Sequence, residues 1–170
     1  YNIHNFSGWV GYTLSKAERR IWGIHDNDPF GSDLFPASYD RPHDISIVVN
    51  YEPVERLSIG ANWVYNTGQA VTFPTGKFLF GNKFVPIFST RNGYRMPDYH
   101  RLDLSVTWRS KEKPGRKFYH EWNFSAYNAY ARKNPWVINF IQDENDPNKT
   151  YAEMTYLFSI IPAITFNFHF

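Results

Sequence analysis

Three groups of side chains have the chemistry to hold a cation. Asp98, His100 and Asp103 lie close together in the chain, and His25, Asp26 and Asp28 form a second cluster. Both offer the imidazole and carboxylate donors that a divalent metal takes. On an extended strand, Asp98 and His100 share one face while Asp103 points to the other. Hydrogen bonding at the start of a strand is therefore their ordinary role. Asp143, Asn145 and Asp146 carry oxygen ligands of the kind found in a calcium loop. Pro147 and Asn148 replace its turn pattern, and Met154 stands where the bidentate Glu is needed. Ser105, Ser125 and His100 supply hydroxyls and an imidazole, but no spacing unites them as nucleophile and base. Cys is absent, which excludes disulfides and thiolate metal sites. The expectation is a protein without catalytic residues, metal or cofactor.

The elements that must position these residues are strands. The 170 residues carry a net charge of only +2, which gives no reason to expect nucleic acid. Aromatic residues make up 19% of the chain, and they favour strands and membrane interfaces. Six stretches alternate in hydropathy with the strand period of two: 5–16, 42–52, 56–67, 99–109, a fifth starting near Lys117, and a sixth from about Ile160 to Phe170. On the first, Phe6, Val10, Tyr12 and Leu14 share the apolar face. On the others, Ile45, Ile47 and Val49, then Leu102, Leu104 and Val106, then Ile164, Phe166, Phe168 and Phe170 do the same. Asn62, Arg101, Asp103, Arg109, Glu121 and Asn123 take the opposite, polar side. His120 interrupts the apolar face of the fifth stretch, and Pro162 predicts a bulge or a local break in pairing.

The connections alternate short and long. Residues 53–55 and 110–116 are short; 17–41, 68–98 and 128–159 are long. Strands of about ten residues joined in this way fit a transmembrane antiparallel β-barrel, with short turns on the periplasmic side and long extracellular loops. The apolar face would meet lipid and the polar face a wet interior. Phe6, Tyr51, Trp108, Phe118 and Phe168 would form one aromatic girdle, Tyr12 and Tyr65 the other. In the last connection, 135–142 and 151–158 predict a hairpin extending strands five and six. Trp22, Phe30, Phe35, Phe78 and Phe80 in the long loops are candidates for contact with a substrate or a covering lipoprotein, or else for packing the loops on one another. No apolar leader opens the chain, whose first segment already reads as a strand, so a longer protein is expected.

The ending Thr165-Phe166-Asn167-Phe168-His169-Phe170 resembles the terminal strand by which outer-membrane proteins are handed to the barrel assembly machinery, which makes Phe166, Phe168 and Phe170 the candidate signal. Further stretches resemble TonB-dependent outer-membrane receptors of Bacteroidetes, of the type with a carboxypeptidase-regulatory-like domain. They are Gly11–Lys16, Tyr39–Asp44, Arg95–Asp103, Tyr127–Pro135 and Ile160–Pro162. The resemblance implies that residues 1–170 are the C-terminal part of a 22-stranded barrel, with plug and earlier strands absent. It implies TonB-dependent import of a metal chelate, glycan or peptide across the outer membrane. Its partners would be the rest of the receptor, the TonB complex, the assembly machinery, the bilayer and a surface lipoprotein. A passive porin or assembly-related barrel is the alternative, and a soluble sugar-binding β-sandwich the third reading.

Overall fold

The structure, a computed structural model, describes residues 2–3, 5–21, 33–81, 83–88, 90–111, 118–146 and 149–169. They are all-β, with no helix among them. The strands are β1 (Asn2–Ile3), β2 (Phe6–Leu14), β3 (Glu18–Arg19), β4 (Phe35–Pro36) and β5 (His43–Val54). Next come β6 (Leu57–Asn66), β7 (Ala70–Val71), β8 (Pro74–Phe80), β9 (Lys83–Phe88) and β10 (Tyr94–Arg95). The last are β11 (Tyr99–Arg109), β12 (Tyr119–Tyr127), β13 (Val137–Gln142), β14 (Thr150–Thr155) and β15 (Ile161–His169). All six expected strands form, as β2, β5, β6, β11, β12 and β15. They lie in sequence order in one seven-stranded sheet, β1-β2-β5-β6-β11-β12-β15. The seventh member, β1, is a two-residue strand paired with the start of β2.

The described residues divide into two compact units. The first holds Tyr1–Tyr12, Ile45–Tyr65 and Tyr99–Phe170. Its strands meander in sequence order, and short connections join β5 to β6 and β11 to β12, the arrangement that antiparallel neighbours allow. Glu55 and Arg56 alone separate β5 from β6, and Arg109 N–H donates to Arg56 O at 2.8 Å beside that turn. Small residues let the strands approach: a Cβ on Gly8 would stand 2.6 Å from Val48 O, and one on Gly60 2.6 Å from Ser105 Oγ.

Two expectations need correction here. The register from Tyr119↔His169 to Tyr127↔Ile161 runs without a shift, and Pro162 sits in it opposite Ala126. β15 ends the described sheet, and an end strand tolerates proline because a missing N–H can face away from the ladder. The hairpin in the last connection also exists, as Val137–Gln142 against Thr150–Thr155. It is a separate two-stranded sheet and not an extension of β12 and β15. Two left-handed residues, Asn128 (φ 54°) and Ala131 (φ 57°), turn the chain out of line between β12 and β13.

The second unit holds Thr13–Asp44 and Asn66–Asp98. It contains the β3·β4 and β7·β10 pairs and the β8–β9 hairpin. Its centre is the buried set Ala37, Ala70, Met96 and Asp40. Gly68 packs so closely that an added Cβ would fall 1.7 Å from Met96 O, a place only glycine can fill.

Candidate functional site

The sheet carries two chemically opposite faces, and register sorts them. Along β11, β12 and β15, one face shows the rows Val106–Phe124–Ile164 and Trp108–Trp122–Phe166. The row Leu104–Ala126–Pro162 and the pair His120–Phe168 continue it. The rings touch across strands: Trp122 and Phe166 have centroids 4.7 Å apart. His120, expected as an interruption, sits among Phe118, Phe166 and Trp108. These rows lie open, with Leu104 41%, Val106 38%, Trp108 42% and Ile164 67% accessible. Tyr12 and Val10 on β2 are exposed as well, while Ile45, Ile47, Val49 and Leu102 are intermediate.

The opposite face is polar and, on β11 and β12, more enclosed, while its β15 members are exposed. Its rows are Ser105–Ser125–Ala163, Thr107–Asn123–Thr165 and Arg109–Glu121–Asn167. Arg101 bonds Asp103 at 2.8 Å, and their side chains are 20% and 24% accessible. The same guanidinium donates to Tyr127 Oη at 2.7 Å and to Tyr99 Oη at 3.0 Å. It also lies 4.0 Å from the centre of the Tyr127 ring, a cation–π contact. Asn123 donates to Thr107 at 2.7 Å, Asn167 to Glu121 at 2.8 Å and Ser58 to Asn50 at 2.9 Å. Arg109 lies 3.6 Å from Glu121 and 3.9 Å from Glu52. Asn50, Asn62, Asp103, Ser105, Ser125 and Tyr127 border a shallow depression of about 410 Å³. Among the described residues no buried side-chain nitrogen or oxygen lacks a partner. That is the condition under which polar groups can be enclosed at all.

A turn centred on Asn128 closes this face at one end of β11 and β12. Asn128 is 1% accessible and is the largest fully buried side chain. Its N–H donates to Asp103 Oδ1 at 2.9 Å. Its Nδ2 donates to Arg132 O and to Ser159 O, both at 2.8 Å, and its Oδ1 accepts from Arg132 N–H at 3.1 Å. Asparagine suits both demands, since it tolerates the left-handed region and offers a donor and an acceptor. Asn134 repeats the device on β11, accepting from His100 N–H at 3.2 Å and donating to His100 O at 3.0 Å. Neither asparagine was singled out as a site residue by pattern, although both lie in the Tyr127–Pro135 stretch that carries the resemblance. A buried polar residue between two strands has no period to announce it.

In the second unit an ion pair plays the corresponding part. Arg95 binds the Asp40 carboxylate and also donates to Asp40 O at 3.0 Å and Gly68 O at 3.1 Å. Asp40 Oδ1 accepts from Ala17 N–H at 2.6 Å. Burial pushes the Asp40 carboxyl upward. The Arg95 and Ala17 hydrogen bonds and the charges of Arg95 and Lys16 outweigh it, so the group stays below the ordinary carboxylate value. Asp98 Oδ1 accepts from Gly68 N–H at 2.9 Å.

The candidate metal and nucleophile residues are committed elsewhere. Asp98 serves Gly68, His100 Nδ1 contacts Tyr130 Oη at 2.6 Å, and Asp103 serves Arg101 and Asn128. Asp143 shapes the β13–β14 tip, accepting from Asn145 N–H at 2.8 Å and Tyr151 Oη at 2.8 Å. Ser105 and Ser125 face one another in register. His25, Asp26, Asp28, Trp22, Phe30 and Phe170 lie outside the described residues. Of the other loop aromatics, Phe78 and Phe80 are exposed on the β8–β9 hairpin, and Phe35 lies under the Arg91 guanidinium. Phe166 and Phe168 stand on the apolar face of β15, paired with Trp122 and His120. Comparison with protein-family models, with curated proteins and with solved structures finds no match.

Proposed function

We propose that the chain forms the last strands of a transmembrane β-barrel in a bacterial outer membrane, of the TonB-dependent receptor type, and takes part in active nutrient import. The observation that carries this reading is the inverted sheet. Its aliphatic and aromatic rows are open, while its arginines, carboxylates and amides are gathered on the more enclosed face. Burying one large apolar side chain is worth about 1.5–3 kcal/mol. A water-soluble sheet with rows from Leu104 to Phe168 would forgo that gain at each position, whereas hydrocarbon supplies it. The sugar-binding sandwich reading finds little support, because among the described residues the buried apolar ones are Ala37, Ala70 and Met96, all in the second unit. The polar face would then look into a wet interior, where Arg101, Asp103, Arg109, Glu121, Asn123 and Asn62 meet water or a plug. The assignment to active import rests on the resemblance of Tyr39–Asp44, Arg95–Asp103 and Tyr127–Pro135.

Fractionation and uptake test it together. The protein expressed from its whole gene is expected in the outer-membrane fraction, with its β13–β14 hairpin cut by protease added outside intact cells. Nutrient uptake is expected to stop when the proton gradient is collapsed. Uptake that continues without the gradient would point to a passive pore. A folded, monodisperse monomer in detergent-free buffer would overturn the membrane reading.

A further inference from the structure

The short turn between β5 and β6 holds an arginine, Arg56, half-buried at one end of the first unit's sheet. It is pinned to the next strand twice. Its Nε donates to Arg109 O at 3.0 Å, and its own carbonyl accepts from Arg109 N–H at 2.8 Å. Its guanidinium carbon lies 5.1 Å from the centre of the Trp108 ring, a cation–π contact. Neither contact spends the two Nη groups. Among the described residues no carboxylate pairs with Arg56: Glu52 and Glu121 are directed at Arg109, and Glu55 beside it in the turn makes no ion pair. A half-buried cation in this position calls for an anion or for water.

The surface on which Arg56 lies is apolar. Trp108 belongs to the open rows of the sheet, with Trp122 and Phe166 across the strands and Val106 and Leu104 farther along β11 on the same face. His120 meets the Trp108 ring edge-on at 6.5 Å between centroids, and Phe118 lies 6.0 Å from His120. A guanidinium laid on an indole keeps its edge N–H groups available, in the fork that matches a phosphate. One end of the face thus offers a cation for a headgroup, and the rest offers an apolar track for a chain. A small free anion has no use for the track, and a hydrocarbon has none for the cation. A phospholipid uses both.

We propose that Arg56, stacked on Trp108, binds the phosphate of an anionic phospholipid whose acyl chains lie along Val106 and Leu104. Basic groups at a membrane surface recognise such headgroups. The proposal rests on the barrel reading, which puts the short turns, and with them this headgroup, in the periplasmic leaflet.

Phosphatidylglycerol and phosphatidylcholine are the probes, each titrated into the detergent-solubilised full-length protein, with bound lipid counted by native mass spectrometry. Saturable binding is expected, with phosphatidylglycerol preferred. Arg56→Gln should weaken phosphatidylglycerol binding about tenfold. Arg56→Lys should weaken it less, because an ammonium keeps the charge but not the fork. Trp108→Leu keeps the surface apolar but removes the platform, and should weaken binding too. Lys77→Gln, on the β8–β9 hairpin, should leave it unchanged. Equal binding by the wild-type and Arg56→Gln proteins, or no preference for phosphatidylglycerol, would overturn the site. Inorganic phosphate that displaces the lipid at matching concentration would overturn the lipid assignment in favour of a free anion. Protein that reaches the outer membrane but binds lipid without regard to Arg56 sinks this site and leaves the barrel standing. Protein absent from the membrane whose phosphatidylglycerol binding still needs Arg56 does the reverse.

Discussion

The two units bury opposite things. In the second, the enclosed residues are Ala37, Ala70, Met96 and an aspartate met by Arg95, the small apolar centre with a paired charge that water favours. In the first, the one fully buried side chain among the described residues is an asparagine, while leucine, tryptophan and phenylalanine lie open. The contrast teaches that the two units enclose different chemistry, an apolar centre with an ion pair in one and an amide in the other; exposure alone does not separate them, since Phe78, Leu79, Phe80, Ile87 and Phe88 of the second unit lie open too.

The largest expected effect strikes the polar centre of the first unit. Asn128→Ala removes three side-chain hydrogen bonds and leaves Arg132 and Ser159 backbone groups unpaired. It also places a Cβ residue without asparagine's tolerance at positive φ. At about 1–3 kcal/mol per orphaned group, the loss is on the order of 4 kcal/mol, read as failure to assemble. Asn128→Gly relieves the backbone but not the bonds, and should recover only a small part. If alanine is tolerated, the buried asparagine does not hold the unit together.

Next comes the comparison of the two faces. Leu104→Arg should impair membrane assembly by roughly 2–4 kcal/mol, whereas Ser105→Arg, one residue along and on the polar side, should be much milder. Equal yields of assembled protein would erase the distinction between the faces. A smaller effect belongs to the second unit. Because the folded Asp40 carboxyl lies below its ordinary value of 3.8, its contribution is fully present above that value. It is lost as pH falls through the lower, folded-state value. Unfolding followed from pH 6 to pH 2 should show this acid sensitivity, and Asp40→Asn should blunt it. The smallest effect is Asp143→Asn, which loosens only the exposed β13–β14 tip. Faster proteolysis there, with unchanged global unfolding, is the expected result.

Legibility in the sequence followed the same division. Strands β2, β5, β6, β11, β12 and β15 could be read because a long strand with unlike faces repeats every two residues. The β13–β14 hairpin could be read from its Asp-Asn-Pro tip. The pairs β3·β4 and β7·β10 could not, since two residues have no period. Pro74 and Pro86 hid the β8–β9 hairpin, whose register shifts between Pro74 and Gly76. Asp40 and Arg95 meet across 55 residues, a distance over which no spacing rule operates. What one strand arranges along itself was visible; what several loops gather was not.

The grip of Asn128 on Ser159 O has one more consequence. It joins the departure of the chain from β12 to its arrival at β15, and Trp136 N–H to Thr155 O at 2.8 Å seals the base of the hairpin beyond. The loop is therefore fastened at its foot, independently of what stands above. The hairpin of β13 and β14 is thus expected to behave as an exchangeable cassette, and a foreign epitope grafted at its tip should leave the assembly of β12 with β15 unchanged.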